Sequence, residues 1–363
     1  MKNTFGNNLC VTLFGESHGE AIGAVLDGIA PGIKINYEYI DAMLSQRRPY
    51  GKISTGRCEK DEYKLASGVF NGYTTGTPIC ILVPNSDTRS GDYESLKTVP
   101  RPSHADLVAN EKYHGYQDYR GGGHFSGRVT VTLVIAGAIL KSALEAKGIK
   151  IGTHISSLKG ISDRRFDNYA ADIDTLSKKQ FAVLDTDKEK EMYSLIEAVA
   201  ADGDSVGGIL ETAIIGMPCG VGEPWFDTLE GMLSHAIFSV PAVKGVEFGK
   251  GFAIADMLGS EANDGMRYES GNLTFTRNNS GGIIGGISTG APIVIRSAIK
   301  PTPSIFKEQE SVNITTKANA TLKINGRHDP AILHRARVVI DSVCALTIAD
   351  MLVTKYGTDY LMA

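Results

Sequence analysis

The sequence predicts an α+β protein in which central helices lie between antiparallel sheets and one half of the chain repeats the other. Three observations carry this. Gly72-Tyr-Thr-Thr-Gly-Thr-Pro-Ile79 is echoed by Gly286-Ile-Ser-Thr-Gly-Ala-Pro-Ile293, and Asp41-Ala-Met-Leu-Ser45 by Glu230-Gly-Met-Leu-Ser234, in the same order. Two long segments, Val129 to Lys147 and Ala336 to Tyr356, are apolar around most of their circumference, as helices buried on several sides are. The remaining apolar residues fall in short, alternating runs punctuated by glycine, the pattern of antiparallel strands.

The first strand-like run, Leu9 to Phe14, leads directly into Gly15-Glu-Ser-His-Gly-Glu20. Gly15 and Gly19 leave the backbone around His18 open to close approach by a ligand, although the same residues taken alone also describe a capped turn with a solvated histidine. The helical segments holding the 41–45 and 230–234 echoes stop before Pro49 and Pro241, because proline cannot continue a helix. The two long helices end at Gly148 and Gly357, where glycine takes the left-handed cap. Residues 162–204 differ: charged, poor in glycine, with a helix-like run from Lys188 to Ala200. They are expected to be peripheral, between halves of about 1–160 and 205–363. No low-complexity linker divides the chain, so 1–363 is expected to form one domain with an internal pseudo-two-fold repeat.

A chain of 363 residues that is 42% hydrophobic buries about 75% of the surface exposed when unfolded. A net charge of -4 argues against a nucleic-acid binder held by bulk electrostatics. The five cysteines, Cys10, Cys58, Cys80, Cys219 and Cys344, form no C-x-x-C pair and are expected to be buried, reduced thiols. The N-terminus shows no apolar signal segment, and the apolar run Val129 to Leu140 is too short to span a bilayer. A cytoplasmic protein is expected.

Candidate chemistry concentrates in a few loops. Tyr119-Arg-Gly-Gly-Gly-His-Phe-Ser-Gly-Arg128 precedes a helix, where glycines turn backbone N–H groups toward an anion and Arg120 and Arg128 can complete a phosphate clamp. It matches neither the Walker pattern nor the dinucleotide fingerprint. Arg101-Pro-Ser-His-Ala-Asp106 and Gly326-Arg-His-Asp-Pro330 each join histidine to acid and arginine. Further cations lie in Gln46-Arg-Arg-Pro49, at Lys52 and Arg57, and in Lys300-Pro-Thr-Pro-Ser304. With no H-E-x-x-H, Cys/His cluster or G-x-S-x-G elbow, metal hydrolysis and serine acyl transfer lose support. The residues point to acid–base chemistry on a phosphorylated, multiply charged small molecule, without naming the reaction.

The ordered set G-E-S-H-G, R-R-P, R-P-S-H-A-D, Y-R-G-G-G-x-x-S-G-R, A-V-K-G-V-E, G-G-I-S-T-G, K-P-T-P-S and G-R-H-D-P, spread over essentially the whole chain, strongly resembles chorismate synthase. The resemblance implies a β-α-β sandwich, a homotetramer, and 1,4-elimination of phosphate from 5-enolpyruvylshikimate-3-phosphate with reduced FMN and no net redox change. It implies that His18 is the general acid for phosphate departure, that His104 protonates the reduced flavin, and that Asp329 works with flavin N5 to take up the C6 proton. It places Arg47 and Lys52 at substrate or NADP contacts. Flavin contacts fall on His124, Phe125, Ser126, Ala242, Gly285, Lys300, Pro301, Thr302, Pro303, Ser304 and Arg327. His124 stands where members of the family often carry arginine, which supplies more donors. NADPH, or an external flavin reductase, is the implied source of reduced flavin. No metal is expected. The competing class is a non-catalytic flavin-binding or storage protein, which has no need of the histidine and aspartate trio.

Overall fold

A computed structural model of the chain describes residues 2–54, 61–85, 96–324 and 328–362. Two five-stranded sheets enclose the long central helices. The first runs in the order Thr4–Phe5, Cys10–Gly15, Ala21–Asp27, Ile79–Pro84, Lys64–Leu65, and the second in the order Val243–Phe248, Ile293–Ile299, Gly208–Ile215, Lys150–Leu158, Ile161–Ser162. Every pairing in both is antiparallel. Alternate residues of Ile293–Ile299 are buried, so one face of that strand is committed to the core. The Lys150–Leu158 strand, before residue 160, pairs in the second sheet, so the change of sheet falls near Gly148.

The helices are α1 (Tyr37–Arg47), α2 (Asp106–Lys112), α3 (Thr130–Ala146), α4 (Tyr169–Leu176), α5 (Thr186–Ala201), α6 (Leu229–Ser239), the single turn α7 (Gly259–Ala262) and α8 (Leu333–Tyr356). Both echoed pentapeptides sit on 11-residue helices, α1 and α6. Helix α3 packs on the first sheet and α8 on the second, and the two pack on each other. Every residue from Thr130 to Lys141 and from Ala336 to Val353 is buried, which is why neither helix shows a polar stripe in sequence. The stretch 127–146 is long and apolar enough to cross a membrane, longer than the run recognised in sequence, and most of it is buried inside the protein.

Helices α3 and α8 meet at a glycine. A Cβ on Gly137 would lie 2.3 Å from Ser342 Cβ and 2.5 Å from its Cα. Close by, Lys141 Nζ lies 3.3 Å from Asp341 Oδ2, while Thr153 Oγ1 donates to Asp341 Oδ1 at 2.6 Å and lies 2.7 Å from Thr212 Oγ1. This buried network ties both helices to two strands of the second sheet. At the other end of α8, the Asp350 carboxylate accepts the backbone N–H groups of Asn7, Asn8 and Leu9 at 2.9, 2.8 and 2.9 Å, fixing the start of the Cys10–Gly15 strand.

Residues 162–204 lie on the outer face of the second sheet, but they are not a loose appendage. Gly152 faces Ile173 of α4 while the next residue, Thr153, faces α8, as alternation along a strand requires. Phe181, Val183, Met192 and Ile196 join the main core. His154 is fully buried between Asp163, 2.7 Å away, and Glu211, 3.3 Å away. Burial works against its protonation, yet hydrogen bonds to the two carboxylates raise its pKa. The cysteine expectation is corrected: Cys344 is buried, Cys10 and Cys80 are half-buried and Cys219 is exposed, all four free, and Cys58 lies outside the described residues.

Gly137→Ala tests the helix crossing. Alanine gains about 1 kcal/mol of helix propensity, but its methyl meets backbone as well as side chain, an overpacking that costs about 1–3 kcal/mol. A net loss of stability is expected in urea denaturation; a neutral or stabilised variant contradicts the tight crossing.

Candidate active site

The Cys10–Gly15 strand ends at Gly15 and turns Ser17 and His18 into the interior, where both are buried. The glycine loop closes over them. Ser17 N–H donates to Gly123 O at 3.2 Å, and Ser17 Oγ lies 3.2 and 3.3 Å from the carbonyls of Arg120 and Gly121 and 3.1 Å from His18 Nδ1. Ser17 Oγ thus stands between two backbone carbonyls and His18 Nδ1, a contact that orients the imidazole ring.

Gly121, Gly122 and Gly123 are consecutive left-handed residues, with φ of 59, 86 and 54°. A Cβ on Gly121 would lie 2.2 Å from His18 Cε1, and one on Gly122 would lie 3.2 Å from His104 Cε1. Two adjacent glycines of one loop thus each have a histidine from another loop packed against them, an approach that no side-chain-bearing residue at 121 would permit. Lys300 Nζ donates to Ser103 O, and Arg101 NH1 lies 3.5 Å from Ser304 Oγ, which brings the 300–304 segment against the His104 loop. Burial and the nearby Lys244 lower the Lys300 pKa.

In the 101–106 loop, His104 Nδ1 is 2.6 Å from Asp106 Oδ1. Arg101 grips the same carboxylate through Nε to Oδ2 at 2.7 Å and NH2 to Oδ1 at 2.8 Å. Burial alone raises the Asp106 pKa, but the hydrogen bonds from Arg101 and His104 hold it well below the usual carboxylate range. On the third side, Asp329 pairs with Arg335 of α8, and Arg335 Nε donates to the Arg47 carbonyl at 2.8 Å. Arg47 in turn donates from Nε to Thr130 Oγ1 at 3.1 Å and from NH2 to Gly127 O at 2.8 Å. The N-termini of α3 and α8 therefore meet beside the site, adding partial positive charge.

Several expected residues have other positions. Arg120 pairs bidentately with Asp118, and Arg128 pairs with Asp61 and lies 3.2 Å from Asn85 Oδ1, so both forks expected to clamp phosphate are engaged by protein groups. His124 Nδ1 lies 2.8 Å from Gly15 O, which accepts only, so the imidazole braces the turn that carries His18. Phe125 stands edge-on to Tyr113, and Ser126 Oγ accepts Arg128 N–H at 3.3 Å. Lys52 is exposed. Ala242 sits beside Lys300, whose N–H it accepts at 2.9 Å. Gly285 is elsewhere: its hairpin contacts the start of α6, about 16 Å along that helix from Ala242. Arg327 and Arg57 lie outside the described residues. Sequence reasoning missed Arg335 and Asp61. The cluster His334-Arg-Ala-Arg337, at the start of an otherwise apolar helix, was the available signal for the first; nothing in sequence pointed to the second.

The chorismate synthase family model matches residues 9–353. A protein named chorismate synthase from Korarchaeum cryptofilum is 45% identical over 350 residues, 95% of this chain and 96% of that one. Its counterpart from Thermococcus kodakarensis is 43% identical over 350 residues, 96% and 97% of the two chains. A solved structure, "Crystal Structure of Chorismate Synthase", superposes with a TM-score of 0.77 at 28% identity, covering 98% of this chain and 94% of that chain.

His334 offers a pH test of the wall behind Asp329. Burial pushes its pKa down from 6.5 to about 4, and Nε2 lies 2.7 Å from Ser54 Oγ. Between those values the unfolded chain binds a proton there that the folded chain does not. Stability therefore falls as pH drops through that window, by about 3 kcal/mol in all, and is fully present above 6.5. Urea denaturation of wild type and His334→Gln between pH 7 and 4.5 should show the variant losing that part of the slope; parallel curves contradict it.

Proposed function

The chain belongs to the chorismate synthase family, and from that premise we propose how its residues carry the family's reaction, the 1,4-anti-elimination of phosphate from 5-enolpyruvylshikimate-3-phosphate that gives chorismate. Enzymes of this family are carbon–oxygen lyases of the shikimate pathway, on the route to the aromatic amino acids. In the elimination the C6–H bond and the C3–O bond to phosphate break, a second ring double bond forms, and proton and phosphate depart.

The observation that carries the reading is the packing of His18 and His104 against adjacent glycines of one loop. His18, oriented through Ser17, delivers a proton from Nε2 to the departing phosphate. Asp329, held by Arg335, receives the C6 proton. His104 holds a proton at the flavin face of the same loop. Thr302 Oγ1 and His328 Nε2 are buried without a hydrogen-bond partner among the described residues, and they support a bound group completing this site, for which reduced FMN fits. His124, Phe125, Ser126, Ala242 and Lys300 to Ser304 would hold it, with Gly285 at the far end of α6. When bound, reduced flavin supplies electron density to the reacting ring and recovers it, so no net redox change results. Of the two NADP or substrate candidates, Arg47 is tied to Gly127 and Thr130, which leaves exposed Lys52 the better placed to meet NADPH. The apolar side chains of Trp225, Phe226, Phe252 and Tyr268, 84, 95, 87 and 78% exposed, favour the family's homotetramer. We assign the chain one functional unit, 1–363, in the cytoplasm, served by an external flavin reductase.

Anaerobic assay with chemically reduced FMN should release phosphate and chorismate in equal amounts; phosphate without chorismate, or neither, overturns the reading. His18→Ala should keep the fold by circular dichroism and lower turnover by about 10²- to 10⁴-fold. Asp329→Asn keeps shape and hydrogen bonding but cannot take the proton, so binding should persist while elimination slows by about 10²-fold or more. Near-normal turnover in either folded variant returns that residue to a structural part.

A further inference from the structure

We propose that Asp106 is a positioning residue that fixes the tautomer of His104, keeping a proton on Nδ1 so that Nε2 is the nitrogen that exchanges protons at the site. The inference rests on the role given to His104 above and adds a residue to which no part in the reaction has been assigned.

Two groups compete for His104 Nδ1: Asp106 Oδ1 at 2.6 Å and Arg101 NH2 at 3.1 Å. If Nδ1 accepted from Arg101, its lone pair would face a carboxylate oxygen at 2.6 Å with no proton between them. The shorter contact therefore requires Nδ1–H, donated to Asp106. Asp106 cannot rotate away from this duty, because its other oxygen accepts both the backbone N–H of Arg101 at 3.0 Å and Arg101 Nε at 2.7 Å. Nor does it cap a helix. It is the first residue of α2, whose capping position, Ala105, makes no side-chain hydrogen bond. The carboxylate is spent on closing the 101–106 loop and on the imidazole. The far edge of that ring then faces Gly122, whose missing Cβ would lie 3.6 Å from Nε2. A carboxylate behind an imidazole also stabilises its cation, so Nε2 can hold a proton and later accept one back.

Asp106→Asn separates orientation from packing. Arginine cannot accept a hydrogen bond, so the single amide oxygen stays with Arg101 and the amide nitrogen turns to His104. The ring can satisfy an N–H donor only by giving up Nδ1–H, which moves the proton to Nε2 and leaves no acceptor there. The test is nitrogen NMR of histidine-labelled, flavin-free, full-length protein, with His104 assigned by its loss in His104→Gln. The expected result is the Nδ1–H tautomer in wild type and Nε2–H in Asp106→Asn, together with a turnover loss of about 10²- to 10⁴-fold. Asp106→Glu, whose carboxylate can still reach Nδ1, should restore Nδ1–H and part of the turnover. A neutral wild-type imidazole protonated at Nε2 with Nδ1 bare overturns the proposal without any variant, as does Asp106→Asn that keeps both tautomer and turnover. Full turnover in His104→Gln instead sinks the role given to His104, while the tautomer measurement still reads the Asp106 contact by itself.

Discussion

The crossing of α3 and α8 at Gly137 and Ser342 is the constraint on which the rest of the structure depends. Two helices buried on every side need partners on every side, and here each supplies one face to the other and one to a sheet. The absent side chain at 137 sets how close they come. The Lys141–Asp341 pair, joined to Thr153, then fixes how they are placed against the second sheet. A buried ion pair is a poor source of stability, since the cost of desolvation offsets most of the attraction. Its contribution is specificity: an uncompensated charge in this core would be far worse than a paired one, so alternative placements of α8 are disfavoured.

That placement reaches the site from both ends of α8. In the first turn, Arg335 holds Asp329 and the Arg47 carbonyl, and Arg47 continues to Gly127 and Thr130 at the start of α3. In the last turns, Asp350 collects three successive N–H groups of the N-terminal segment, and so sets the strand that ends in Ser17 and His18. The acid and the base of the proposed reaction are thus both positioned by one rigid helix. That helix links segments more than 300 positions apart in sequence.

The fold was readable because its strongest signals are local. Glycine caps and all-round apolar runs gave α3 to within one residue at each end and the C-terminal end of α8, whose start at Leu333 lies three residues before the expected one, and the prolines gave the ends of α1 and α6. The long contacts were not readable. Asp61 meets Arg128 and Arg47 through pairings that span 67 and 14 residues, and nothing in its neighbours marks it. The same limit hid the partners of Arg120 and Arg128: a glycine loop flanked by arginines describes an anion clamp, and the carboxylates of Asp118 and Asp61 that engage them do not show in it. In residues 162–204 the charged outer faces hid Phe181, Met192 and Ile196, which reach inward. His124 is a flavin contact by resemblance alone, and sequence could not show that its Nδ1 also meets Gly15 O.

The pairing of these arginines bears on how the site treats phosphate. Arg101, Arg120, Arg128 and Arg335 each face a carboxylate, so among the described residues the guanidinium forks act first as scaffold. Softer attraction for a polyanion is added by the N-termini of α3 and α8, the left-handed glycine loop, and Lys300, whose pKa burial lowers. A ring of free arginine forks would bind the ester and the released phosphate equally well, and such uniform binding does nothing for the step between them. An elimination gains instead from a proton delivered to the phosphate as its bond to carbon breaks. In the proposed reaction, paired arginines beside a proton-delivering His18 would concentrate the site's interaction on that moment.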